Sequence, residues 1–213
     1  MNRATFLIDG FNLYHSLEEA CRRTCGISVK WLDVKALCNS YLHIIRNEVN
    51  CRVDLADIHY FSSPPINHSI DKQQRHELYM RALSSTGIKI HLGKFKKKEL
   101  KCKICNGKIT ISEEKETDVA IASRLFETCY SAEADSIVLV TGDTDIAPAV
   151  RMCQRLFPGK FICFAFPHER TNSELQLLCP RSFKISLDSY KSNQFNDSLL
   201  LPDGIILHKP EQW

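Results

Sequence analysis

The run Ile137-Val138-Leu139-Val140 stops at Thr141-Gly142, and two carboxylates, Asp143 and Asp145, follow at once. Four apolar residues without alternation fit a strand buried on both faces, the condition of a parallel sheet. In open α/β sheets, ligand-binding and catalytic side chains gather just past the carboxyl ends of such strands. The stretch 136–150 therefore points to a fold class and to a place for chemistry.

The same layout opens the chain. Thr5-Phe6-Leu7-Ile8 reads as a short strand, Asp9-Gly10-Phe11-Asn12 as an acidic turn and 13–25 as a helix. Between the two units the periodicity predicts a helix over 34–44 capped by Asp33, a strand over 56–61, a helix over 71–84 and a strand over 88–92. A helix over 117–129, with Val119, Ala122, Leu125 and Phe126 as its inner face, leads into the Ile137 strand. A helix over 146–157, a buried strand over 161–166, a short helix over 173–178 and a last strand over 183–185 follow. Strands alternating with helices predict βαβ units and right-handed crossovers, hence an α/β fold with a mostly parallel central sheet covered on both faces. A chain of 213 residues suits one domain, placed at 1–190, with 191–213 as a C-terminal tail whose Ile205-Ile206-Leu207 and Trp213 pack back on the body.

A net charge of +3 identifies no partner by itself, so local clusters must carry that argument. No apolar run approaches the roughly 20 residues of a membrane helix. Met1 to Thr5 runs into the first strand without a signal-peptide pattern, so the ten cysteines are expected to be mostly free, buried thiols in a reducing cytoplasm. The dinucleotide and P-loop glycine patterns, the G-x-S-x-G elbow and the H-E-x-x-H helix are all absent.

If the two acidic turns end neighbouring parallel strands, Asp9 and Asp143 share one crevice with Asn12 and Asp145. Asp118, in the first turn of the 117–129 helix, joins them, favoured there by the positive helix end. Taken singly, each acid has an ordinary explanation as a turn or capping residue. Together they form a set of hard oxygen ligands suited to Mg²⁺ or Mn²⁺, and such a site suits metal-assisted phosphodiester hydrolysis. Lys115 stands close in sequence to meet a phosphate.

The three segments L-I-D-G-F-N (7–12), E-K-E-T-D-V-A-I-A (114–122) and V-T-G-D-T-D (140–145) resemble the NYN domain family, a branch of the PIN-like nucleases, in order and spacing over about 4–187. The resemblance implies a three-layer, PIN-like α/β/α sandwich and metal-dependent ribonuclease chemistry on RNA. It implies that Asp9, Asp118 and Asp143 are the acidic metal ligands, with Asn12 and Asp145 as accessory polar groups and Lys115 at a position where many members carry lysine. Glu116 stands where the family commonly has glycine. A non-catalytic RNA-binding or regulatory module with a structural cation is the alternative. A small-molecule enzyme is a weaker one: a phosphatase would want D-x-D after the first strand, and the succinoylpyridine hydroxylase label of some relatives would want a flavin, haem or iron site.

Over 93–113 the character changes. Lys94, Lys96, Lys97, Lys98 and Lys101 crowd a segment predicted to be a β-hairpin insertion turning at Asn106-Gly107. These lysines either blunt a strand edge or track an RNA backbone without reading its bases. Cys102-x-x-Cys105 is half a zinc knuckle. Closing a Zn²⁺ site would need His68, His76, His91 or a second copy of the chain, and a metal-free hairpin or a redox dithiol are the other readings. Phe95 and Tyr60 are available for base stacking, and His168, Arg170 and Asn172 are expected to line the same edge.

Overall fold

A computed structural model describes residues 1–23, 28–65, 69–101 and 108–213, with the side chains of 94–101 and 108–115 left aside. Six strands form one sheet: β1 (Asn2–Asp9), β2 (Val53–Ser62), β3 (Lys89–Leu92), β6 (Ser136–Val140), β7 (Phe161–Phe166) and β8 (Phe183–Lys184). Their order is β3-β2-β1-β6-β7-β8, and every neighbouring pair runs parallel. The chain winds outward from β1 on one side, then returns to lay β6 on the other. β1 and β6 therefore flank a topological switch point, where a crevice opens beyond the strand ends.

Residue parity shows why these strands are apolar throughout. In β1, Phe6 and Ile8 enter one buried cluster and Leu7 the other; in β6, Val138 and Val140 face one way, Ile137 and Leu139 the other. The first cluster packs under α1 (Gly10–Arg23), α2 (Val34–Val49) and α3 (Ile70–Ser85), through Leu13, Leu17, Leu37 and Leu83. The second packs under α4 (Thr117–Tyr130) and α5 (Ala147–Leu156), through Ile121, Leu125, Val150 and Cys153. Helices on both faces of a parallel sheet make the three-layer α/β/α sandwich. Asp33 caps α2 as its sequence predicts, accepting from the Ala36 N–H at 2.9 Å.

The inner face of α4 differs from expectation. Val119 is 70% exposed, and the stripe on the sheet is Ile121, Leu125, Thr128 and Cys129, with Ala122 and Phe126 only flanking it. The helix is apolar on more than one side, so its spacing admitted two stripes, and contact with β1 and β2 selects the one through Ile121.

β4 (Lys94–Lys101) and β5 (Lys108–Lys115) pair antiparallel as a separate two-stranded sheet, from Lys94↔Lys115 to Lys101↔Lys108. Cys102, Cys105 and the Asn106-Gly107 turn lie outside the described residues. Towards the C-terminus, α6 (Ser173–Leu178) and α7 (Leu187–Ser192) are followed by an antiparallel pair, β9 (Ser198–Leu200) and β10 (Ile206–His208). Of the expected Ile205-Ile206-Leu207 contact only Leu207 is buried, with Leu201, because Ile206 alternates onto the open side of the β9–β10 pair and Ile205 precedes β10, at 54% and 46% exposure. The Trp213 ring lies 6.1 Å from Trp31 and 5.5 Å from Tyr79. The seven described cysteines are free thiols, five of them buried and Cys51 exposed. No described helix is long and apolar enough to cross a membrane.

One polar pair is built into the second face. His59 Nδ1 lies 2.8 Å from His91 Nε2, and Phe61 stacks on His91 with ring centroids 4.6 Å apart. Burial foremost, then Arg124, His91 and Lys89, with Asp57 opposing, push the His59 pKa from 6.5 down to about 4. Between those values the unfolded chain binds a proton that the folded chain refuses, so stability is lost as pH falls, by up to about 1.4 kcal/mol per pH unit. Urea denaturation between pH 7 and 4 is expected to show that decline, and His59→Leu to flatten it. An equal slope in both proteins would contradict the assignment.

Candidate active site

β1 delivers Asp9 to the sheet edge, and α1 begins on the next residue. Gly10 permits this close passage: a Cβ there would stand 2.5 Å from the Phe61 carbonyl oxygen and 2.7 Å from the Tyr60 ring. Asp9 is only 6% exposed, yet both its oxygens are held. Oδ1 accepts from the Asn12 N–H at 3.0 Å and Oδ2 from the Thr141 hydroxyl at 2.8 Å. Thr141 Oγ1 in turn accepts from the Asp143 N–H at 3.1 Å, and Asn12 Oδ1 accepts from the Gly142 N–H at 3.1 Å. Asp143 caps the 3-10 turn Thr144–Ile146, accepting from the Asp145 N–H at 3.0 Å. The turns after β1 and β6 are thus stitched into one unit.

Asp118 comes from the first turn of α4. Burial raises its pKa, and Asp143 and Asp145 raise it further. At Asp9 burial is again the largest cause of a raised pKa; the bonds from Asn12 and Thr141 oppose it, while Asp118 and Asp143 add to it. The four acids therefore share one electrostatic field, and among the described residues none of them is ion-paired. As the side chains stand, no three described His, Cys, Asp or Glu groups converge closely enough to hold a metal ion.

The backbone before Asp118 carries strain. Glu116, the residue preceding α4, has φ 83°, in the left-handed region that glycine adopts without penalty and that costs a non-glycine residue about 1–2 kcal/mol. Lys115 precedes it at the end of β5, paired in register with Lys94. Lys96, Lys97, Lys98 and Lys101 occupy β4.

Several expected site residues have other duties. Tyr60 is 4% exposed, packed edge-on to Tyr79, and closed to a base. Asn172 spends its side-chain oxygen capping α6, accepting from the Glu174 and Leu175 N–H groups. His91 is engaged with His59, and His76 Nε2 lies 3.1 Å from Ser62 Oγ; His68 lies outside the described residues. Arg170 does reach the edge, its carbonyl filling the space beside Gly142 where a side chain would be. Thr141 joins the site through its hydroxyl: the bond it accepts from the N–H two residues on is a common local turn, but its bond to Asp9 spans 132 residues and has no local signal.

The sequence profile of the NYN domain matches residues 3–187, most of the chain and all of the strands and helices that build this edge. The chain belongs to the NYN domain family. That family falls within the PIN-like nuclease superfamily. The NYN chain is 27% identical over 177 residues to the 6-hydroxy-3-succinoylpyridine 3-monooxygenase HspA of Pseudomonas putida (strain DSM 28022 / S16), covering 70% of this chain. It spans 55% of that protein's length, about half. In fold it is similar to a protein of unknown function, VPA0982, from Vibrio parahaemolyticus RIMD 2210633, with a TM-score of 0.53 and 17% identity. The likeness covers 87% of this chain and 93% of that one.

Two substitutions test the site's construction. Thr141→Val keeps the shape and removes both hydroxyl bonds, and is expected to lower stability by about 1–3 kcal/mol in urea denaturation. Asp118→Asn relieves repulsion and, because Asp118 is exposed and screened, should raise Tm by only about 1–2 °C without divalent cations. A drop in Tm for Asp118→Asn would show that the acids do not repel one another.

Proposed function

We propose that this NYN protein is a metal-dependent ribonuclease that hydrolyses phosphodiester bonds of RNA. The observation that carries the reading is the shared field of Asp9, Asp118 and Asp143 at the β1–β6 switch point, with no described cation to offset it. An all-oxygen donor set fits Mg²⁺ or Mn²⁺, hard ions that keep several waters and need few protein ligands. In this proposal Asp9, Asp118 and Asp143 hold the ion. When bound, such an ion acidifies water and offsets charge on the phosphoryl group.

The chain's own residues supply position. Asn12 N–H and the Thr141 hydroxyl fix the Asp9 carboxylate, so it does not reorganise as charge develops. Asp143 is fixed by its turn, and in this proposal Asp145 beside it would accept a proton from the attacking water. Lys115 would meet the phosphate, and Lys94, Lys96, Lys97, Lys98 and Lys101 of β4 would follow the RNA backbone. Zn²⁺ at Cys102 and Cys105 is a separate proposal, for which zinc content of the native protein against Cys102→Ser is the measurement.

A second reading comes from the name of the Pseudomonas putida relative. Under it the chain would oxygenate a hydroxylated pyridine, which requires molecular oxygen and a reductant. Incubation with 6-hydroxy-3-succinoylpyridine, oxygen and a reductant, followed by absorbance, separates the two.

With a mixed RNA pool and Mg²⁺ or Mn²⁺, the native protein is expected to cut, chelation to stop it, and Asp143→Asn to slow it by at least about 100-fold. RNA retained uncut by the native protein would support the non-catalytic binding module. Pyridine turnover without RNA cleavage would overturn the nuclease reading.

A further inference from the structure

Loop 167–172 joins β7 to α6, and its backbone is tied down at several points. The Ser16 hydroxyl donates to the His168 carbonyl at 2.7 Å, the His168 N–H donates to the Tyr190 hydroxyl at 3.2 Å, and the Arg170 N–H closes a turn on the Pro167 carbonyl at 2.9 Å. A further tie is steric. The Arg170 carbonyl occupies the space beside Gly142 that a side chain would need, and the Arg170 Cβ stands 3.2 Å from that same point. Gly142 immediately precedes Asp143, so the root of the Arg170 side chain is fixed against the acidic edge while the residue itself stays exposed.

The charges around it are already matched. Glu169 pairs with Arg23 at 2.9 Å and Glu174 with Arg151 at 2.8 Å. Among the described residues Arg170 has no acid partner, and it does not pair with Asp143 or Asp145 either. An exposed arginine whose backbone and Cβ are anchored against Gly142, and whose guanidinium pairs with no described acid, has its planar fork of donors free, and that fork matches two oxygens of a phosphate.

We propose that Arg170 grips a backbone phosphate of the RNA strand as it crosses the acidic edge. This rests on the ribonuclease reading and adds to it a substrate contact from loop 167–172, which lies against Gly142. The contact positions the strand and reads no base. Gly142 is its structural counterpart, since any larger residue would drive loop 167–172, and Arg170 with it, off the edge.

The test is fluorescence anisotropy of a labelled single-stranded RNA against the full chain over a salt series, with cleavage of the same oligonucleotide in Mn²⁺. Native protein is compared with Arg170→Gln, Arg170→Lys, Gly142→Ala and, as a control for loss of an exposed charge, Arg155→Gln at the far end of α5. Arg170→Gln is expected to weaken binding about 10-fold at low salt, to reduce the salt slope by about 0.7, and to raise KM more than it lowers kcat. Arg170→Lys should recover part of the loss, Gly142→Ala should reproduce it, and Arg155→Gln should bind as the native protein does. Arg170→Gln binding with native affinity and slope, or losing no more than Arg155→Gln, overturns the proposal. RNA bound but uncut by the native protein would defeat the nuclease reading while anisotropy still decides Arg170. RNA neither bound nor cut would overturn both.

Discussion

Carboxylates brought to one edge of a sheet repel, and the edge of this sheet is built to hold them there. Two unit charges about 4 Å apart interact by roughly 4 kcal/mol at an effective dielectric near 20, comparable to a large part of a domain's net stability. The protein meets this with hydrogen bonds: Asn12 and Thr141 on Asp9, the Asp143 N–H on Thr141, the Gly142 N–H on Asn12. The Asn12 and Thr141 bonds lower the pKa of Asp9, but burial, and after it the neighbouring acids, outweigh them. The balance is a preorganised negative site, the kind of strain that proteins keep where function needs it.

The topology explains why the acids meet at all. β1 and β6 are distant in sequence but adjacent in the sheet, with Ile8 opposite Val140, so the residues just past their ends share a crevice. α4 packs on β1 and β2 and brings Asp118 within the field of Asp9 and Asp143. The strained backbone at Glu116 is what turns the chain from β5 into that helix. The NYN chain thus sustains with glutamate a conformation that glycine adopts freely.

Much of this was legible in the sequence, for a definite reason. Strands buried on both faces are apolar without alternation, so Ile137 to Val140 and Phe161 to Phe166 announced a parallel sheet, and Asp9 and Asp143 at the ends of the two central strands are drawn to one edge of it. What was hidden depends on distant partners. Val119 and Ile121 are equally apolar, and only contact with β1 and β2 selects Ile121. Tyr60 sits at a strand end where a base could stack, but α3 covers it through Tyr79. α7 lies in a polar stretch and is held by one fully buried residue, Tyr190, whose partner Ser16 is 174 residues away in the chain. The pairing of His59 with His91 likewise joins two strands that no local pattern connects.

The central claim is that Asp9, Asp118 and Asp143 form a site for one hard divalent ion. Titration of the full chain with Mn²⁺, following the electron paramagnetic resonance signal of the free ion, tests it without reference to any substrate. The account predicts that the signal is quenched up to one ion per chain, that Mg²⁺ competes for the site, and that Asp9→Asn abolishes the quenching. Free Mn²⁺ signal unchanged by the native protein, or quenched equally by Asp9→Asn, would contradict it.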